Sequence, residues 1–150
     1  MSWNDLRAGR FSQAQGEYFI TFNTHNRIEF FNNFEPACLF CQQILRNERQ
    51  YQCTWLTWVL MPDHFHGLLR LDSPEVSLSN VVGGLKGVSA NEINQHLNRK
   101  GKFWQSSFYD RALRKEDDRI KIARYIVANP LRKMLVTDLK DYSFWDSVYL

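Results

Sequence analysis

The sequence predicts an α+β fold, strands and helices intermixed around a central antiparallel hairpin. Three observations carry this. Two strand-like runs, Cys53–Leu60 and His64–Leu71, are separated only by a short break containing Pro62-Asp63, and so short a break joins antiparallel neighbours. Apolar residues recur at helical spacing in two separate stretches, one before this pair and one after it. A further β-branched and aromatic run, Glu17–Thr24, precedes the first helical stretch, so the elements alternate along the chain. With 150 residues, one domain over 1–150 is expected, large enough for a real core and short for two.

Taken in order, residues 1–16 are polar and glycine-punctuated, carry Arg7 and Arg10, and read as an irregular N-terminal arm. Glu17–Thr24 is the first strand. Asn32-Asn33-Phe34-Glu35-Pro36 offers helix-start chemistry, with proline tolerated in the first turn. Ala37, Leu39, Phe40, Ile44 and Leu45 continue that helix to about Glu48. The two hairpin strands follow, and Asp72-Ser73-Pro74 ends the second. A long helix is predicted from about Leu78 to Asn98, with Leu78, Val81, Val82, Leu85, Val88, Ile93 and Leu97 on its apolar side. Gly83, Gly84 and Gly87 weaken it by roughly 1 kcal/mol each relative to alanine, and either bend it or admit a close neighbour. Gly101 opens a turn into Lys102–Leu113, read as a fourth strand. Glu116-Asp117-Asp118 places acid at the start of the last helix, where its dipole favours negative charge. That helix ends or kinks at Asn129, because the residue before Pro130 is pushed out of helical geometry. The tail holds a short helical patch near 131–136 and an aromatic end, Tyr142–Tyr149.

The bulk numbers narrow the function classes. Hydrophobic residues make up 44% and charged residues 23%, which suits a globular chain and not a disordered one. The net charge of +3 is mild, so nucleic-acid binding requires local clusters of cations. No apolar stretch approaches the roughly 18 residues of a membrane span, and the N-terminal residues lack an apolar signal-peptide region, so no membrane partner and a cytoplasmic location are expected. Cys38, Cys41 and Cys53 form an odd, sparse set, which also suits a reducing compartment.

Two groups of residues carry possible chemistry. His64 and His66 flank Phe65 on a strand, so they share one face while Phe65 turns to the other. Their separation along the strand is about 6.5–7 Å, close enough for two imidazoles to converge on one cation; a pair of merely solvent-facing histidines is the alternative. On the last helix, Tyr125 and Asn129 lie four residues apart, on one stripe with Asp118, Lys121, Ile122 and Arg132. The opposite stripe, Ile120, Ala123, Val127 and Leu131, is the expected core face. Tyr125 is then either a reactive phenol among cations or an anchor of the helix to the sheet. Arg111, Arg114, Lys115, Arg119, Lys121 and Arg124 form the densest basic block, and Lys86, Arg99, Lys100 and Lys102 a second.

As an ordered set, Met61-Pro62-Asp63-His64-Phe65-His66, Trp104-Gln105, Phe108-Tyr109-Asp110-Arg111 and Arg124-Tyr125-Ile126-Val127-Ala128-Asn129-Pro130 resemble the single-tyrosine HUH transposases. Within that family the chain is most similar to the REP-associated tyrosine transposases, relatives of the IS200/IS605 insertion-sequence enzymes. The resemblance runs from Arg7-Ala8-Gly9-Arg10 to Trp145-Asp146-Ser147. It implies a ferredoxin-like antiparallel sheet with helices packed on it. It also implies nicking and joining of single-stranded DNA beside a hairpin, through a 5′-phosphotyrosine intermediate and a free 3′-hydroxyl. Carried over, His64 and His66 match the metal-binding histidines, Tyr125 the nucleophile, and Asn129 a third, amide-type ligand. The implied cofactor is Mg²⁺ or Mn²⁺, the partner single-stranded or hairpin DNA from repetitive palindromic elements, and the assembly a monomer or a homodimer. Arg7, Arg10, Lys86, Arg111, Arg114, Lys115, Lys121 and Arg124 are the candidate DNA-binding residues, with aromatics nearby for base stacking.

The chemistry agrees with the resemblance. A phenol is mostly neutral near pH 7 and a poor nucleophile, and a divalent cation on the scissile phosphate would polarise it. Two imidazoles and an amide oxygen suit a hard cation with positions left open for substrate. Rival readings fit less well. Cys38-Leu39-Phe40-Cys41 has zinc-ligand spacing but lies inside an apolar helical run. Histidine-triad hydrolases need a further histidine where Leu68 stands, and 2H phosphoesterases need two separate His-x-Ser/Thr motifs. Tyr109 is the rival nucleophile, on a strand-like run away from Asn129. A repeat-hairpin binder without cleavage activity is the alternative function, and it has no need of the complete His-His-Tyr-Asn set.

Overall fold

The computed structural model describes residues 16–150; Arg7, Arg10 and the rest of the arm before Gly16 lie outside the described residues. The architecture is α+β, as expected. Strands β1 (Glu17–Asn23), β2 (Cys53–Met61), β3 (His64–Leu71), β4 (Tyr109–Ala112) and β5 (Trp145–Ser147) form an antiparallel sheet in the order β4-β1-β3-β2-β5. Helices α1 (Phe34–Tyr51), α2 (Leu78–His96), α3 (Arg119–Val127) and the single turn α4 (Asn129–Arg132) complete it.

The hairpin forms as predicted, with Met61 paired to His64 across a two-residue turn. Its register divides the sheet. On one face, Tyr18, Ile20 and Phe22 of β1 and Phe65 and Leu69 of β3 pack beneath α1 and α2, against Phe40, Ile44, Leu78, Val81, Val82 and Leu85. On the other, Leu56, Val59, Met61 and Leu68 meet Ile126 of α3 in a smaller core. Two glycines permit close approach on the larger-core side. A Cβ on Gly67 would stand 2.7 Å from the Trp55 ring, and one on Gly84 2.5 Å from the Tyr51 hydroxyl. Gly84 therefore admits a neighbour into α2, whereas Gly83 and Gly87 face open space and α2 runs through all three unbroken.

Three expectations need correcting. The fourth strand spans only Tyr109–Ala112, because Phe103 and Trp104 are drawn into the larger core and touch the sheet through a single Thr24–Trp104 bridge. The aromatic tail contains a strand, β5, which pairs with β2. The core face of the last helix is Ala123, Ile126 and Val127, with Ile120 and Leu131 exposed. The helix breaks at Ala128, so Leu131 belongs to a separate turn and the stripe extrapolated from α3 does not reach it. Among the described residues no helix is long and apolar enough to cross a membrane.

Candidate active site

Alternation along β3 places both histidines on the α3 side of the sheet, opposite Phe65. Their ring centroids are 4.7 Å apart, with the planes nearly perpendicular. Each has its Nδ1 engaged. Asp63 Oδ1 lies 2.7 Å from Nδ1 of His64, and Thr21 Oγ1 lies 2.7 Å from Nδ1 of His66, its cross-strand partner on β1. Nε2 is then the nitrogen that each ring has left for another partner. Burial lowers the pKa of both imidazoles, for His64 against the opposing pull of Asp63. For His66 burial, the neighbouring His64, Arg132 and Arg27 push it down to about 3. Both rings are therefore neutral near pH 7, the form that ligates a cation. Burial also acts to raise the Asp63 pKa, but hydrogen bonds from His64 and Arg27 outweigh it and hold the carboxyl below its usual value. A neutral His64 makes the Asp63 contact an N–H···carboxylate hydrogen bond and not an ion pair.

Tyr125 and Asn129, expected on one stripe, occupy different surroundings. Tyr125 is 57% exposed near the end of α3, while Asn129 is 6% exposed and opens α4 beyond the break. The Asn129 side-chain amide donates to the carbonyl of Ile126 at 2.9 Å, so its oxygen is the atom able to serve a cation. The Arg132 guanidinium lies 4.3 Å from the centre of the Tyr125 ring, a cation–π contact that sets a positive charge beside the phenol. Phe19, Tyr109, Arg111, Asp117, Asp118, Lys121, Ile122 and Tyr125 line a cleft of about 420 Å³. Phe19 links this cleft to the histidines, its ring 5.8 Å from that of His66 and 6.5 Å from that of Tyr109. On the His64 side, a hollow of about 240 Å³ includes Arg27, Asp63 and Lys133 in its lining.

A family model described as "Transposase IS200 like" matches residues 12–129, which include both histidines and Tyr125. The chain belongs to the IS200-like transposase family. Among solved structures it is similar to a REP-associated tyrosine transposase bound to a REP hairpin, at 23% identity, TM-score 0.75, over 91% of this chain and 79% of that one. It is also similar to a putative transposase from Deinococcus radiodurans R1, at 26% identity, TM-score 0.56, over 76% of this chain and 90% of the other. The comparison with curated proteins gives no match. The sheet and helix arrangement is thus that of the REP-associated tyrosine transposase.

The cations of this transposase fall into distinct groups. Arg111 and Lys121 line the Tyr125 cleft, with Arg111 also 3.5 Å from Asp117. Arg114, Lys115 and Arg124 are exposed on the turn before α3 and on α3 itself. Arg119 is engaged internally: its Nε and Nη2 donate to Glu17 at 3.0 and 2.7 Å, tying the start of α3 to the start of β1. Lys86 lies on the other side of the sheet, over Phe22 at 5.7 Å, and donates to the carbonyls of Gln105 and Ser107 at 2.7 and 3.1 Å. Burial, helped by Lys102, brings its pKa down to about 8. Lys86 thus ties α2 to the 105–107 segment, apart from the histidines. Cys38 and Cys41 lie on α1, the pKa of the Cys41 thiol raised to about 12 by burial and by Cys38. Among the described residues no three His, Cys, Asp or Glu side chains converge as metal ligands would. A cation at the histidine pair would have the two Nε2 atoms as donors, which suits an ion sharing its shell with phosphate and water.

Sequence reasoning missed Thr21, Arg27 and Phe19. Thr21 was recoverable in principle, since it alternates with Tyr18, Ile20 and Phe22 on a half-buried strand. Arg27 had no signal, because nothing in sequence links it to a turn 36 residues away.

Proposed function

We propose that this transposase nicks and rejoins single-stranded DNA beside hairpin-forming repeats, with Tyr125 as nucleophile and His64, His66 and Asn129 as ligands of Mg²⁺ or Mn²⁺. The observation that carries this reading is the neutral histidine pair, Nδ1 of each ring engaged and Nε2 left over, linked through Phe19 to the cleft that Tyr125 lines. The hairpin bound by the REP-associated tyrosine transposase supports DNA of that shape as the partner.

In this reading the Tyr125 oxygen attacks the scissile phosphorus. The phenol gives up its proton, the bond from phosphorus to the 3′-oxygen breaks, the 3′-oxygen takes up a proton to leave as a hydroxyl, and the 5′-phosphate stays esterified to Tyr125. Attack by the 3′-hydroxyl of another strand reverses the step, so the phosphodiester is exchanged and not hydrolysed. Bound at the histidines, the cation would supply Lewis-acid polarisation of the phosphoryl oxygens. Arg132 offers fixed positive charge beside the attacking phenol. Arg111 and Lys121 hold phosphates in the cleft, and Arg114, Lys115 and Arg124 extend the track. Phe19 and Tyr109 offer apolar ring surface on which an unpaired base would stack.

The test is a denaturing-gel assay with labelled single-stranded hairpin DNA and Mg²⁺ or Mn²⁺. Wild type is expected to give a metal-dependent protein–DNA band. Tyr125→Phe is expected to give none while binding the hairpin within a few-fold of wild type, and His64→Ala or His66→Ala to lose orders of magnitude in rate. Tight binding with no adduct on any of a broad set of hairpins would favour a binder without cleavage activity.

A further inference from the structure

The two histidines are held by chemically different partners, and the difference bears on how the cation site is prepared. A carboxylate only accepts hydrogen bonds, so Asp63 Oδ1 at 2.7 Å requires the proton of a neutral His64 to sit on Nδ1. That leaves the Nε2 lone pair of His64 free for a cation. A hydroxyl both donates and accepts, so Thr21 at 2.7 Å is compatible with either tautomer of His66.

Asp63 is itself held from several directions. Its other carboxylate oxygen accepts from Arg27 Nε at 2.9 Å. Its carbonyl accepts from the Thr24 backbone N–H at 2.9 Å, while the Thr24 hydroxyl, 3.2 Å from the same carbonyl, donates over a shorter 2.8 Å to that of Ile28. The preceding carbonyl, that of Pro62, accepts from the Phe31 N–H at 3.1 Å. The segment between β1 and α1 therefore clamps the hairpin turn. To bring Arg27 onto Asp63, two successive residues, Asn26 and Arg27, adopt left-handed φ values of 56° and 54°. This backbone is unfavourable for a residue with a Cβ, and for arginine more than asparagine. Such local strain persists only where surrounding contacts over-determine it, and the Thr24, Arg27 and Phe31 contacts to the turn do so.

We propose that Asp63, braced by Arg27, is a positioning residue that fixes the tautomer and ring orientation of His64, making His64 the pre-set ligand of the pair, while Thr21 leaves the tautomer of His66 unfixed. The inference rests on the metal-binding reading given above. Asn in place of Asp63 would offer both an acceptor and a donor to Nδ1, so the tautomer would no longer be fixed.

The test uses ¹⁵N-histidine-labelled full-length protein, free of metal, to read each tautomer by NMR, and calorimetric titration with Mn²⁺ to read affinity. Wild type is expected to show His64 protonated at Nδ1. Asp63→Asn is expected to show mixed His64 tautomers and a Mn²⁺ affinity weaker by about 10–100-fold, the range for lost partners of ligating histidines. Arg27→Ala, at an exposed side chain, is expected to weaken Mn²⁺ binding less and keeps the test usable if Asp63→Asn does not fold. Thr21→Val is expected to leave the His64 tautomer unchanged. His64 protonated at Nε2 in the wild type would overturn the proposal. So would Asp63→Asn, with Arg27→Ala, that matches wild type in tautomer and in affinity within two-fold. Wild type that takes up no Mn²⁺ would instead overturn the metal reading itself, and the proposal with it.

Discussion

The two faces of this sheet are built from the same strands and have opposite characters. On β3, Phe65 and Leu69 turn to one face while His64 and His66 turn to the other. On β1, Tyr18, Ile20 and Phe22 alternate with Phe19, Thr21 and Asn23 in the same way. The first face is closed by two helices of 18 and 19 residues and filled with interlocking rings, such as Phe22 against Phe65 at 5.0 Å and Trp104 at 4.8 Å. The second is covered by a helix of nine residues, whose core contact with the sheet runs through Ile126. Beyond that contact lie the imidazoles, their polar partners and the Tyr125 cleft. One face is built for stability; the other gives some of it up to hold polar groups in place.

The largest expected effect separates neighbours on one strand. Phe65→Ala removes a ring with no exposed surface and is expected to cost about 3–5 kcal/mol. His66→Ala is expected to cost well under half of that in denaturant unfolding while removing the covalent adduct. Equal losses from the two would mean that both faces are structural, and the contrast would fail.

A smaller effect sharpens the packed side. Gly67→Ala would place a methyl 2.7 Å from two atoms of the Trp55 ring. Overpacking of that kind costs about 1–3 kcal/mol, measurable as a shift in the denaturation midpoint. An unchanged midpoint would show the Trp55 ring free to move, and the packed face looser than described.

The smallest effect belongs to the site side and follows from its buried neutral rings. The folded-state pKa of His66 is about 3 and that of His64 is also lowered, both by burial first. Below the unfolded value of about 6.5 the unfolded chain therefore binds more protons. Stability is full above that pH and declines as pH falls from 6.5 toward 3. Between pH 7 and pH 5 the metal-free protein is expected to lose on the order of 1–2 kcal/mol, as chemical denaturation at the two values would show. Stability unchanged or raised at pH 5 would mean that the rings are solvated.

Much of this division was legible in the sequence. The apolar–polar alternation of His64–Leu71 put both histidines on one face, and Pro62-Asp63 fixed the hairpin that carries them. The polar stripe of α3 was also readable, since Asp118, Lys121, Ile122 and Tyr125 do line one cleft. What was lost lay where local pattern stops deciding. Residues 102–113 carry strand-like composition, but Phe103 and Trp104 contribute to the larger core instead of extending the ladder. The Trp145–Ser147 strand is three residues long and pairs with β2 some 90 positions away, so no periodicity announces it. Asn129 was projected onto the Tyr125 stripe by helical spacing, and Arg132 does meet Tyr125, yet Asn129 is buried while Tyr125 is exposed. Asp63 read as a turn residue, and the Arg27 that holds its second carboxylate oxygen is brought to it only by the fold.

The most direct test of the account is the identity of the residue that takes up DNA. The wild-type protein would be incubated with a cleavable single-stranded hairpin and Mn²⁺, digested with protease, and the nucleotide-bearing peptide sequenced by mass spectrometry. The account predicts a 5′-phosphate linkage on Tyr125. A linkage on Tyr109, which lines the same cleft, would contradict it.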